Sequence, residues 1–259
     1  MASSLRCINR GGAASLLRLN ARPKLEAAMS VDAQLQQALE AWRARPGEIF
    51  TLVDDAGLCY RARLHKADDG ALQLFPFEQV ADPEPRSRLV LFQALPEKER
   101  FELILQKGVE LGVAAVVPYV SRYSISLAER DAQQRKSHRW PDVVLRAARQ
   151  CRRRMVPELY PVVDWSTMLQ EAEAVERRFL LHPGPNAASL NDLLQGELPA
   201  SLALIVGPEG GFAAPEVEEA LAAGCELAGL GPRLLRTETA AICALSLTAA
   251  AGDSRSRKL

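Results

Sequence analysis

The chain has 259 residues, 48% of them apolar and 25% charged, with 32 Lys and Arg balancing 32 Asp and Glu. That length and composition allow two globular domains with a sizeable core. The zero net charge excludes a global basic field, so any nucleic-acid contact must come from locally clustered charge.

Cys7, Cys59, Cys151, Cys225 and Cys243 are scattered without CxxC spacing. This argues against a zinc site or a disulfide framework and fits a reducing, cytoplasmic setting. No apolar run approaches the length of a membrane span. Residues 1–24 carry five basic residues, Arg6, Arg10, Arg18, Arg22 and Lys24, several serines and no acid. A transit peptide has such a composition, but an unstructured extension over residues 1–15 is the simpler reading.

Residues 16–82 are expected to form a small β-rich domain. A helix over 33–42 ends at the turn Arg45-Pro46-Gly47. Segments 48–53 and 59–65 alternate like paired strands across the turn Asp54-Asp55-Ala56-Gly57, and 71–75 supplies another strand. Residues 80–85 are polar and proline-rich, the composition of a linker.

The second domain is expected over 86–254. Strand 89–93 leads into a helix with Phe101, Ile104, Leu105 and Gly108 on one face, stopped by Gly112, and 114–118 follows as a buried strand. Strand, helix and strand in that order imply a right-handed crossover in a parallel sheet. A helix over 141–153 turns Val143, Val144, Ala147, Ala148 and Cys151 one way and Arg146, Arg149 and Arg153 the other, with strand-like 156–163 beyond it. Segments 179–183, 202–206 and 226–230 continue the alternation, so the domain reads as α/β. The last helix, 238–251, is apolar nearly all round and is expected to be buried on several sides.

Two runs stand out: Ile205-Val206-Gly207-Pro208-Glu209-Gly210-Gly211-Phe212, and Leu230-Gly231-Pro232-Arg233-Leu234-Leu235-Arg236-Thr237-Glu238-Thr239-Ala240. Each is an apolar segment that ends in glycine and proline and then opens a helix. Such loops lie at the carboxyl ends of strands, where α/β sheets bind ligands. Glycine lets backbone groups come close to a ligand, and proline stiffens the turn. Neither run is a GxxxxGK[ST] or GxGxxG nucleotide fingerprint.

These two runs, with Lys107–Val113, Gln150–Glu158 and Arg43–Glu48, resemble the bacterial 16S ribosomal RNA uridine N3-methyltransferases of the SPOUT class. The resemblance covers nearly all of the chain beyond residue 16. It implies a SPOUT-type parallel sheet with a C-terminal trefoil knot, preceded by a PUA-like β-barrel that holds RNA. In the N-terminal part Arg43 and Pro46-Gly47 carry over.

The same resemblance implies an S-adenosylmethionine site in the knot, cupped by Leu181-His182-Pro183, by Gly207, Pro208, Gly210 and Gly211, and by Leu230, Gly231, Pro232 and Leu235, with Ile205 among the residues covering the adenine. The implied partners are 16S ribosomal RNA in the 30S subunit and a second copy of the chain, with no metal and no membrane. Uracil N3 is a poor nucleophile until its proton leaves. Arg236 is the first candidate to stabilise the resulting charge, and Glu209 the second, as a hydrogen-bonding or proton-accepting carboxylate. An ion pair of Arg236 with Glu209 or Glu238 is the competing structural role.

Thr237 and Glu238 suit the start of the last helix. Lys107 and Glu110 are spaced for an intrahelical ion pair as readily as for substrate contact. Arg43, Lys107, Arg146, Arg149, Arg153 and Arg154 are the candidate RNA contacts, since guanidinium and ammonium groups pair with phosphate oxygens. No catalytic role is expected of His182, and His65 and His138 read as surface residues. Two other readings remain open: a SPOUT methyltransferase for a ribose 2′-hydroxyl or another base, and a non-catalytic ribosome-associated RNA-binding module.

Overall fold

The computed structural model describes residues 5–96, 98–125 and 139–256; His138 lies outside them. In the N-terminal part, strands β1 (Met29–Ser30), β2 (Ile49–Val53), β3 (Cys59–Lys66) and β4 (Leu72–Val80) form an antiparallel sheet in the order β1-β4-β3-β2. The β2–β3 turn is as expected. The Asp54 carboxylate accepts from the backbone N–H of Ala56 and Leu58 and from the Tyr60 hydroxyl, and Gly57 supplies the positive φ. Strand β4 runs past Pro76, five residues beyond the expected end at 75. The register irregularity between Arg61 and Ala62, opposite Pro76, accommodates a residue that cannot donate to the ladder.

Helix α1 (Ala33–Ala41) starts where the Asp32 carboxylate accepts from the Leu35 N–H at 2.8 Å. It buries Leu35, Ala38 and Leu39, and Trp42 just beyond it donates its indole N–H to Ser15 O at 2.6 Å.

Residues 5–15 are not an unstructured extension. Ile8 N donates to Leu159 O and Gly12 N to Val156 O, both at 2.8 Å, and the Asn9 side chain bridges Pro157 O and the Leu159 N–H. The glycines allow this approach: a Cβ on Gly11 would stand 2.4 Å from Pro157 O. The segment satisfies backbone groups at the edge of the second sheet, which sequence composition does not reveal.

That second sheet contains the parallel strands β5 (Arg88–Ala94), β6 (Ala115–Val120), β7 (Glu158–Leu159), β9 (Arg177–Leu181), β10 (Ala188–Ser189), β11 (Ser201–Val206) and β12 (Glu226–Gly229). Their order is β10-β12-β9-β11-β5-β6-β7, with β8 (Val163–Asp164) also pairing with β6. The expected strand 156–163 is therefore two short strands, β7 and β8. Leu89 and Leu91 of β5 face one core, with Phe101, Ile104 and Leu105 of α2 (Lys98–Glu110) and Val144 and Ala148 of α3 (Trp140–Gln150). Val90 and Phe92 face the other, with Met168 and Ala172 of α4 (Trp165–Glu173) and Ala220 of α6 (Ala214–Ala222). A short helix α5 (Leu190–Leu193) follows β10, and α7 (Thr237–Ser256) closes the chain's described part. Among the described residues no helix is long and apolar enough to cross a membrane.

Helix α7 buries Ala241, Ala244, Leu245 and Thr248, whereas Ser246, Leu247 and Ala250 stay exposed. Burial on several sides is not achieved within one chain. Helix α3 also ends three residues earlier than expected, at Gln150. Arg152 takes a left-handed conformation (φ 55°) and the Arg153 N–H returns to Ala148 O, so the chain turns inward.

Arg153 consequently does not face RNA. Its side chain is 3% exposed and donates to both Glu84 carboxylate oxygens (2.9 Å from Nε), to Val109 O (2.7 Å) and to Val113 O (3.0 Å). Glu84 belongs to the polar, proline-rich segment expected to be a linker, and Asp82 in the same segment pairs with Arg154. The connection is clamped rather than solvated. Replacing Arg153 by Met strands a carboxylate that is 9% exposed, and should lower unfolding stability by about 3–5 kcal/mol in urea titrations. A loss below about 1 kcal/mol would show that Glu84 finds water instead.

Candidate functional site

Three loops leave one edge of the second sheet. Strands β12, β9 and β11 are adjacent and parallel, with Ala228 opposite Leu181 and Ile205 opposite Leu180. The residues that follow them must therefore emerge together. They enclose a cavity of about 520 Å³, within the usual size range of small-molecule sites.

Leu181, His182, Pro183, Gly207, Pro208, Glu209, Gly210, Gly211, Leu230, Gly231, Leu235 and Arg236 all line it. Ile205 does not: it is fully buried in the core on the sheet face that carries Phe92, and Val206 reaches the cavity instead. Successive strand residues point to opposite faces, so the choice between 205 and 206 is a matter of parity. Pro232 is exposed and outside the wall, where Arg233 and Leu234 stand. The sequence reading also missed Phe212, Ala228, Thr237 and Ala240. The last two could have been found from helical spacing at the start of α7, which places residues three apart on one face.

The glycine loop is held from behind. Tyr119 donates its hydroxyl to Val206 O at 2.9 Å, and burial raises its pKa well above the ordinary phenol value, with Glu216 and Cys225 adding to the rise, so it remains a neutral donor. The Glu216 carboxylate accepts from Ala213 N and Arg122 N, both at 2.8 Å, tying the loop after β6 to the start of α6. Gly210 faces that loop, and a Cβ there would stand 2.9 Å from Tyr123 Cβ. Gly207 lies under the Phe212 ring, 3.0 Å from where its own Cβ would be. Gly211 and Gly231 have φ of 73° and 99°, conformations that L side chains rarely adopt. His182 accepts the Gly184 N–H on Nδ1 at 3.0 Å, bracing its own loop.

The charges sort differently from the expected pairing. Arg100 of α2 donates to Glu209 at 2.8 Å and lies 3.9 Å from Glu238. Arg236 is exposed on the cavity wall and has no ion-pair partner among the described residues. The competing structural role for Arg236 is thus taken by Arg100, an arginine that no motif singles out.

The remaining basic candidates are largely engaged. Lys107 forms the intrahelical pair with Glu110 at 2.8 Å. Arg149 donates to the carbonyls of Trp42 and Arg43 and lies 3.6 Å from Glu48. Arg43 pairs with Asp142 at 2.6 Å but is two-thirds exposed, and Arg146 is exposed with Nε on Asp142 O. His65 is exposed, edge-on to Phe75.

A larger cavity, about 780 Å³, lies at the opposite end of the sheet, against Ser87, Arg88 and Ser201 at strand starts. Ligands of open α/β sheets bind at the carboxyl ends, and the smaller cavity has the glycine rim. Among the described residues no group of three or more His, Cys, Asp and Glu gathers as a metal site would.

Comparison with known proteins finds RNA methyltransferases. An RNA methyltransferase domain pattern matches residues 82–249. A ribosomal RNA small subunit methyltransferase E of Mycobacterium bovis is 32% identical over 207 residues, covering 78% of each chain. A methyltransferase structure from Legionella pneumophila, in complex with the bound cofactor SAM, is 30% identical, with a TM-score of 0.63 over 91% of this chain and 97% of that one. A ribosomal RNA small subunit methyltransferase E from Neisseria gonorrhoeae bound to S-adenosyl methionine is 28% identical, with a TM-score of 0.63 over 89% and 94%.

Tyr119→Phe leaves Val206 O without its buried donor. Thermal or chemical denaturation should show a loss of about 1–3 kcal/mol. An unchanged midpoint would mean that the phenol does not support the glycine loop.

Proposed function

The chain belongs to the RNA methyltransferase family of ribosomal RNA small subunit methyltransferases E, and we propose that it transfers a methyl group from S-adenosylmethionine to N3 of a uridine in 16S ribosomal RNA. The observation that carries this reading is the cavity at the carboxyl edge of the parallel strands, with Arg236 on its wall and, among the described residues, no ion-pair partner for it.

The residues present fit the cofactor. Leu181, Val206, Leu230 and Leu235 give apolar walls for a purine ring, and the glycine-rich rim allows close backbone contact with the polar parts of a nucleoside. When bound, the cofactor supplies an electrophilic methyl on a sulfonium centre. The chain's own task is to align the uracil and favour its N3 anion. Arg236, placed over O2 or O4, stabilises the charge left when the N3 proton passes to solvent at the open mouth. Glu209, held by Arg100, orients the base by accepting a hydrogen bond.

We place the trefoil knot of the SPOUT class at these three loops and read the N-terminal sheet as the PUA-like RNA-holding domain. A second copy would cover the uncovered side of α7 and Leu234, a leucine 85% exposed at the cavity. Of the six basic residues, Arg43 and Arg146 keep exposed heads for phosphate.

Small subunits from cells lacking the protein, incubated with it and S-adenosylmethionine, should yield 3-methyluridine on nucleoside mass spectrometry. Arg236→Ala should reduce the rate about 100-fold or more, as losing a charge-stabilising donor does. A different methylated nucleoside would overturn the N3 assignment, and none at all would favour a binding module. Arg43→Glu with Arg146→Glu should weaken RNA binding and lower the slope of log K against log salt by about 1–2. An unchanged slope would remove that face from the RNA contact.

A further inference from the structure

We propose that Gln93 is a positioning residue of the cofactor cavity, its buried side-chain amide setting, through Thr237, the spacing between the glycine loop and the first turn of α7. The inference rests on the methyltransferase reading and deepens it.

Gln93 is fully buried near the carboxyl end of β5, paired in register with Val206 of β11. Its Nε2 donates to Ala94 O at 2.9 Å and to Thr237 Oγ1 at 3.0 Å. Thr237 Oγ1 in turn donates to Gly207 O at 2.6 Å. A hydroxyl has one proton, and here it is committed to Gly207 O. Thr237 must therefore accept from residue 93, and only a side chain with an N–H₂ group can serve both Ala94 O and Thr237. A carboxylate at 93 would face two acceptors. Gly207 and Thr237 both line the cavity, on different loops, so the relay bridges two of its walls.

The amide is not there for stability alone. Among the described residues Gln93 Oε1 is buried with no hydrogen-bond partner, a cost that an apolar side chain of the same length would remove. What the amide adds is direction: it fixes which atom of α7 meets the glycine loop, and at what distance.

The test uses the full chain and measures S-adenosylmethionine binding by calorimetry beside thermal melting. Gln93→Met should weaken binding about five- to tenfold while the melting temperature stays near the wild-type value, since relief of the unpaired Oε1 offsets the donor lost to Ala94 O. Thr237→Val should weaken binding by a similar factor, and the double variant no further, because both changes break one relay. Thr237→Ser, which keeps the hydroxyl, should bind like the wild type. Wild-type affinity in Gln93→Met would overturn the proposal. So would a loss that tracks a falling melting temperature and multiplies fully in the double variant. A wild-type chain that binds no S-adenosylmethionine would instead overturn the methyltransferase reading itself.

Discussion

The parallel pairing of β5 with β11, six residues in register from Ser201 opposite Arg88 to Val206 opposite Gln93, is the constraint on which the cavity depends. From Leu202 to Val206 strand β11 is buried, lying between β5 and β9. A strand buried on both faces cannot slip by one residue without exchanging its two side-chain sets. That register brings Gly207 beside the end of β5 and, through β9, level with the ends of β9 and β12. The loops converge because the strands are parallel and aligned, not because the loops attract one another.

Charge in this neutral chain serves two purposes that composition cannot separate. Arg153, with four acceptors around it, joins the end of α2, the start of β6 and the segment between the two sheets. Arg100 joins the glycine loop to the start of α7. These guanidinium groups act as mortar: planar, permanently charged and rich in donors, they tie separate segments together, and Arg153 satisfies several buried acceptors at once. Arg236 differs only in what surrounds it. With Glu209 paired to Arg100 and no ion pair of its own among the described residues, its charge stays available at the cavity.

The amino-terminal segment shows the same economy. Its glycines, Asn9 and backbone N–H groups dock on the chain around β7, so a stretch with the composition of a leader or tail becomes part of the second sheet's border. The contacts that hold it link positions some 150 residues apart. No local pattern carries them.

By itself the sequence determined what local rules govern: the strand and helix alternation, the β2–β3 turn at Asp54–Gly57, the two glycine–proline loops after apolar runs, and the resemblance those loops carry. Periodicity, turn chemistry and glycine placement act over a few residues and survive without a partner segment. Tertiary structure alone decided which face Ile205 and Val206 take, that Arg153 turns inward, that Arg100 rather than Arg236 holds Glu209, and that Gln93 and Thr237 meet. Each of these depends on groups brought together by sheet register across tens of residues, and the free energy of a charge or an amide is set by those neighbours rather than by its own place in the chain.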